Sequence, residues 1–108
     1  MPSITIYTTS DHHLETCDFA DFSTSLTKLT KEILKAKDNN IHIAYLIADV
    51  GYGESVYFEA KLRQEVFRSE SVMNEFSRQV DLLIREKFGV IARIRCFLYD
   101  SNNIFAKN

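Results

Sequence analysis

The chain has 108 residues but only one proline, at position 2, and three glycines. Proline removes a backbone donor and glycine loosens the chain. Their scarcity implies few tight turns and long regular elements. The hydrophobic periodicity between the breakers then decides the fold. Ser3-Ile4-Thr5-Ile6-Tyr7 alternates polar and β-branched residues, which predicts a first strand. A proline directly before it is tolerated, because the first residue of a strand need not donate to the ladder.

A polar connection from Thr8 to Cys17 follows, with Asp18 as the expected N-cap of a helix. Phe19, Phe22, Leu26, Leu29 and Ile33 recur at spacings of three and four, an amphipathic stripe. Lys35 and Lys37 suit the negative end of that helix, and Asp38-Asn39-Asn40 stops it. Ile41 to Val50 is nearly all apolar and predicts a second strand buried on both faces. Gly51-Tyr52-Gly53 reads as a turn or hairpin tip. In the third strand, Ser55 to Leu62, Val56, Phe58, Ala60 and Leu62 face one way, and Tyr57, Glu59 and Lys61 the other. A second helix, capped by Ser69 or Ser71, carries Val72, Met73, Phe76, Val80, Leu83 and Ile84. Gly89 is its natural C′ residue. The fourth strand, Val90 to Tyr99, turns Ile94, Cys96 and Leu98 to the helices, and Arg93, Arg95, Phe97 and Tyr99 away.

The expected fold class is therefore α/β (α+β). It consists of two consecutive βαβ units, a four-stranded mixed sheet and two helices on one face, in one domain spanning 1–108. The charges on the open face, Arg93 and Arg95 among them, are expected to pair with Glu59 or with a neighbouring subunit. The partly apolar open face calls for a cover, and a homo-oligomer is the simplest.

Composition narrows the function. A formal net charge of -2 argues against a nucleic-acid partner, and no apolar run approaches a membrane span. The first residues lack a secretory leader pattern. Cys17 and Cys96 lie far apart without metal-type spacing, which suits free thiols and a cytoplasmic location. His12-His13 has no converging ligands, so no metal is expected. Pro2 stands out chemically. Removal of Met1, favoured by a small second residue, converts Pro2 from an amide into a secondary amine: a base on a rigid strand.

Met1-Pro2-Ser3-Ile4-Thr5-Ile6, the doubled βαβ order and the glycine-containing midpoint together resemble the tautomerase superfamily, which includes macrophage migration inhibitory factor and oxalocrotonate tautomerase. The closest similarity is to carboxymethyl-hydroxymuconate isomerases. It runs from Val56-Tyr57-Phe58 through Phe67-Arg68-Ser69 to Leu83-Ile84-Arg85-Glu86-Lys87-Phe88. The resemblance implies a cofactor-free isomerase and a homotrimer with sites between subunits. In it, the neutral Pro2 amine moves a proton on a small unsaturated keto or enol acid. It places a substrate-binding residue on the second strand, where this chain has His42 in place of arginine. It also implies an arginine near Thr9 and Ser10, where there is none. His42 otherwise reads as a core histidine. Arg95 is then the substitute anion binder, with Phe97 and Tyr99 as pocket walls.

Two other readings stand beside this one. A tautomerase-like scaffold that has lost the chemistry would be a binding or structural protein. A split ferredoxin-type sheet would make an RNA-recognition module, with the first and second strands separated by another strand.

Overall fold

A computed structural model describes residues 2–108. The elements run β1 (Ser3–Thr8), α1 (Thr16–Leu34), β2 (His42–Ile47), β3 (Val56–Arg63), α2 (Glu70–Phe88) and β4 (Arg93–Tyr99). The four strands form one sheet in the order β2-β1-β3-β4. β1 lies parallel to β2, β3 lies parallel to β4, and the central pair β1/β3 is antiparallel. This is the doubled βαβ arrangement expected from the periodicity. The adjacency of β1 and β2 excludes the split ferredoxin-type alternative.

The core forms between the helices and one face of the sheet. Ile4 and Ile6 from β1 and Val56, Phe58, Ala60 and Leu62 from β3 are essentially inaccessible. Phe22, Leu26 and Leu34 from α1 and Phe76, Val80 and Ile84 from α2 close over them. The α1 stripe is rotated slightly from expectation. Thr30 and Leu34 are buried, while Phe19, Leu29 and Ile33 pack at the margin. The Thr30 hydroxyl is satisfied by donating to the Leu26 carbonyl at 2.8 Å.

Three local expectations change. Glu15, not Asp18, is the N-cap of α1, and Asp18 sits in the first turn, where its charge still suits the helix dipole. Gly51–Gly53 is not a hairpin tip, because β1 lies between β2 and β3; the connection crosses over an end of the sheet. β2 is not buried on both faces. It is an edge strand, with Leu46 46% and Ile47 57% exposed. Its helix side is covered at Tyr45, whose ring packs on Phe19 and Phe88 and whose hydroxyl accepts from the Leu14 N–H at 3.0 Å. The open side of β2 has no cover within one chain.

Both helices end in the left-handed region. Gly89 closes α2 at φ 71°, its N–H donating to the Arg85 carbonyl at 3.0 Å. Lys35 closes α1 at φ 56°. Glycine is the usual choice there, because a side chain is strained at positive φ.

The core makes a direct prediction. Phe58→Ala, in the middle of the sheet against Phe76, is expected to cost about 3–5 kcal/mol in urea unfolding. Phe105→Ala, at a residue 94% exposed, is expected to stay within about 0.5 kcal/mol of the parent.

Candidate functional site

Because β1 and β3 are antiparallel, the start of β1 meets the end of β3. Ser3 pairs with His42 and with Lys61, and Arg63 pairs with Tyr99. Pro2, His42, Arg63 and Tyr99 therefore gather at one end of the sheet. The His42 N–H donates to the Pro2 carbonyl at 3.0 Å, which ties the start of β1 to the edge strand.

Pro2 is buried and lines a recess of about 260 Å³. The turn after α1 contributes Lys35 and Lys37 to the wall. The end of β3 and the loop after it contribute Arg63, Glu65, Phe67 and Arg68. Four cations and one carboxylate thus surround a small volume. A recess of this kind attracts an anion and favours the neutral form of an amine.

The two arginines differ. Arg68 is only 5% exposed. Its Nε donates to the Leu34 carbonyl at 3.1 Å and its Nη1 to the Arg63 carbonyl at 2.7 Å. Burial pushes its guanidinium pKa down, partly opposed by the Glu65 charge. Arg63 is half-buried, and its Nε is buried with no hydrogen-bond partner among the described residues. An unpaired buried donor of this type costs about 1–3 kcal/mol.

The residues expected from sequence divide between two places. Pro2 lines the recess. His42 and Tyr99 lie at the same end of the sheet, both exposed rather than in the core. Arg95 and Phe97 instead line a cleft of about 630 Å³ on the open face, with Tyr7, Tyr57 and Arg93. The expected pairing of Glu59 with the arginines does not form. Glu59 takes Lys61 at 3.2 Å and the Tyr57 hydroxyl at 3.0 Å. The sequence pattern does not mark Lys35, Arg63 or Arg68 as site residues: in it Lys35 suits the helix dipole and Arg68 belongs only to the stretch that carries the resemblance. The left-handed turn that aims the first is invisible to periodicity. Among the described residues, no group of three or more His, Cys, Asp or Glu side chains is arranged to hold a metal.

No protein-family model matches the chain, and no curated protein matches it. Solved structures do. The protein N1, a member of the cis-3-chloroacrylic acid dehalogenase family, superposes with a TM-score of 0.81 at 13% identity, covering 96% of this chain and 79% of that one. A fused 4-OT wild-type symmetric trimer gives 0.80 at 16% identity, over 96% of this chain and 92% of that one. A macrophage migration inhibitory factor-like protein from Entamoeba histolytica gives 0.77 at 13%, over 98% and 95%. The fold matches the tautomerase fold of these neighbours. At these identities the likeness is one of fold, so the chemistry must be argued from the recess itself.

The open-face cleft yields a test of its electrostatics. Burial first, and then the hydrogen bond and charge of Glu59, raise the Tyr57 phenol above the usual tyrosine value, while Arg95 and Arg93 lower it. Followed by NMR at its Cζ carbon, Tyr57 is expected to ionise later than free tyrosine. Glu59→Gln should bring the transition down and Arg95→Gln should move it further up.

Proposed function

We propose that this chain is a cofactor-independent tautomerase or isomerase of small unsaturated keto or enol acids, similar to 5-carboxymethyl-2-hydroxymuconate isomerase. The observation that carries this reading is Pro2, buried in a recess with Lys35, Lys37, Arg63 and Arg68. With Met1 removed, the Pro2 nitrogen has a free lone pair. Burial and the surrounding positive charge both oppose its protonation, so it acts as a base near neutral pH. It removes a proton from a carbon next to the substrate carbonyl and returns it to another carbon, moving the double bond. The cations hold the substrate carboxylate and stabilise the dienolate charge that develops between the two proton transfers. The fold neighbours that carry enzymes, a dehalogenase family member among them, support an active role for the scaffold.

The same reading includes a cytoplasmic homotrimer. The open sheet face supports it, with Phe97 40% and Tyr99 38% exposed on β4 at one edge and Leu46 46% exposed on β2 at the other. Packing around a threefold axis would cover that face and bring Arg95, Phe97 and Tyr99 towards the end of a neighbour's sheet where Pro2 and His42 lie. A trimeric neighbour of the same fold supports that assembly. Against activity stands His42, which replaces the strand arginine implied by the resemblance. That favours a second reading, a binding protein on the same scaffold.

Two measurements separate these readings. Mass spectrometry should show loss of Met1, and an NMR titration should place the Pro2 amine below the value of about 8 for an ordinary terminal amine. Pro2→Ala should then lower the rate of ketonisation of an enolic keto acid by roughly 10²–10⁴. A retained Met1 or an ordinary amine titration would leave only the binding protein. Light scattering is expected to give three times the 12.5 kDa chain mass.

A further inference from the structure

The far end of the open sheet face holds groups that the chemistry at Pro2 does not use. Strand register sets Tyr7, Tyr57 and Arg93 side by side across β1, β3 and β4. Tyr7 lies further along β1 than Ser3, roughly 13 Å from the end where Pro2 sits. The cleft of about 630 Å³ opens here, an ordinary volume for a small-molecule site. The segment after β2 supplies another wall, with Val50 and Glu54.

The lining combines two chemistries. Tyr7 and Tyr57 stack with ring centroids 5.7 Å apart and planes 26° from parallel. Each ring spends one face on the other, and both remain half-buried, so a flat ring entering the cleft extends the stack. The arginines are the second chemistry. Glu59, the carboxylate across from Arg95, is taken by Lys61 at 3.2 Å and by the Tyr57 hydroxyl at 3.0 Å. Arg95 spends one nitrogen on the Ile94 carbonyl at 2.8 Å. Arg93 and Arg95 are both exposed, and neither joins an ion pair among the described residues. They alternate with Ile94 on β4, so they share one face with roughly 7 Å between them. One anion with several oxygens can take both.

A flat ring and a multiply charged anion occur together in a nucleotide. Guanidinium forks match phosphate oxygens, and an aromatic face accepts any base. Two arginines, offset by the Glu54 carboxylate, cannot follow a polynucleotide, which needs a long basic groove. The net charge of -2 agrees with a single nucleotide and not a strand. We propose that this cleft binds one purine nucleotide, its base on the Tyr7–Tyr57 stack and its phosphate between Arg93 and Arg95. The site is separate from the Pro2 recess and stands without the base chemistry there. In the proposed trimer the same face would meet neighbouring copies. The phosphate would then neutralise arginines that a drying contact makes costly.

The test is NMR chemical-shift titration of the full chain with AMP, adenosine and inorganic phosphate. AMP should bind more tightly than either of the others, with shifts at Tyr7, Val50, Tyr57 and Arg93. Arg93→Gln should weaken AMP roughly two- to fivefold, as for an exposed pair, and leave adenosine unchanged. Tyr7→Leu should weaken AMP and adenosine about fivefold or more and leave phosphate unchanged. Tyr7→Phe keeps the ring and should bind as the parent does. Arg93 is exposed, so its variant decides the matter even where Tyr7→Leu does not fold. AMP no tighter than phosphate overturns the stacking role. AMP no tighter than adenosine, or indifferent to Arg93→Gln, overturns the phosphate role. Shifts confined to Lys35, Arg63 and Arg68 place the anion in the recess instead and overturn the site, as does the absence of any AMP-dependent shift.

Discussion

The geometry of the recess depends on one buried guanidinium. Burying Arg68 to 5% exposure is costly, and burial lowers its pKa accordingly. Two charge-assisted hydrogen bonds to backbone carbonyls, at 3.1 and 2.7 Å, offset that cost. The carbonyls belong to the last residue of α1 and the last residue of β3. The last carbonyls of a helix have no intrahelical partner, so Arg68 also satisfies a group that would otherwise be orphaned. Arg68 therefore caps a helix, closes a strand and shapes a cavity. A lysine could not do this, because a single ammonium lacks the spread of a planar guanidinium.

Much of this molecule is legible in its sequence, and what escapes does so for definite reasons. Period two in Ile4 and Ile6, and in Val56 through Leu62, marks the two central strands, because the helices cover one face and solvent meets the other. Gly89 and Ser69 mark the ends of α2 because their chemistry is local: a positive φ, and a hydroxyl accepting from the Val72 N–H at 3.4 Å. β2 misleads because an apolar run looks the same whether a strand is central or waits at an edge for a cover. The recess misleads more deeply. Pro2, Lys35 and Arg63 lie far apart in the chain, and only the antiparallel β1/β3 register brings the first to the third. Local pattern carries no register between strands that are not joined by a short turn. The resemblance points to β2, where the chain has only His42, while the cations lie in the turn after α1, at the end of β3 and in the loop after it.

The open face shows the same separation of pattern from partner. The sequence suggests that Arg93 and Arg95 pair with Glu59 or with a neighbouring subunit, and Glu59 stands across from Arg95 in the sheet. Glu59 instead turns to Lys61 on its own strand and to the Tyr57 hydroxyl. Tyr7 stacks on Tyr57 with ring centroids 5.7 Å apart, so the centre of this face is aromatic and its margin basic. Exposed pairs such as Glu59–Lys61 contribute little to stability in water. Their weight changes if a second subunit dries the face, because charges left without partners then become expensive. A face whose two arginines join no ion pair among the described residues is thus better suited to a wet or anion-bridged contact than to a dry one.

The two halves of the chain argue for where function resides. β1-α1-β2 and β3-α2-β4 share the same order, with helices of 19 residues each, and meet antiparallel at β1/β3. Such a fold offers two equivalent ends, each with a strand start near the end of a helix. The structure treats them differently. One end has Pro2 at the strand start, Lys35 at the left-handed turn and two arginines beyond. The other has Ser55 before the strand, its carbonyl accepting from the Thr9 N–H at 3.1 Å, and an unstrained glycine at the turn. If stability alone had shaped both ends, glycine would close both helices, since nothing stands within 4 Å of where a Cβ would sit on Gly89 and the difference is therefore conformational rather than steric. The strained, cationic end is the one that departs from that pattern, and it is the end that holds the proline.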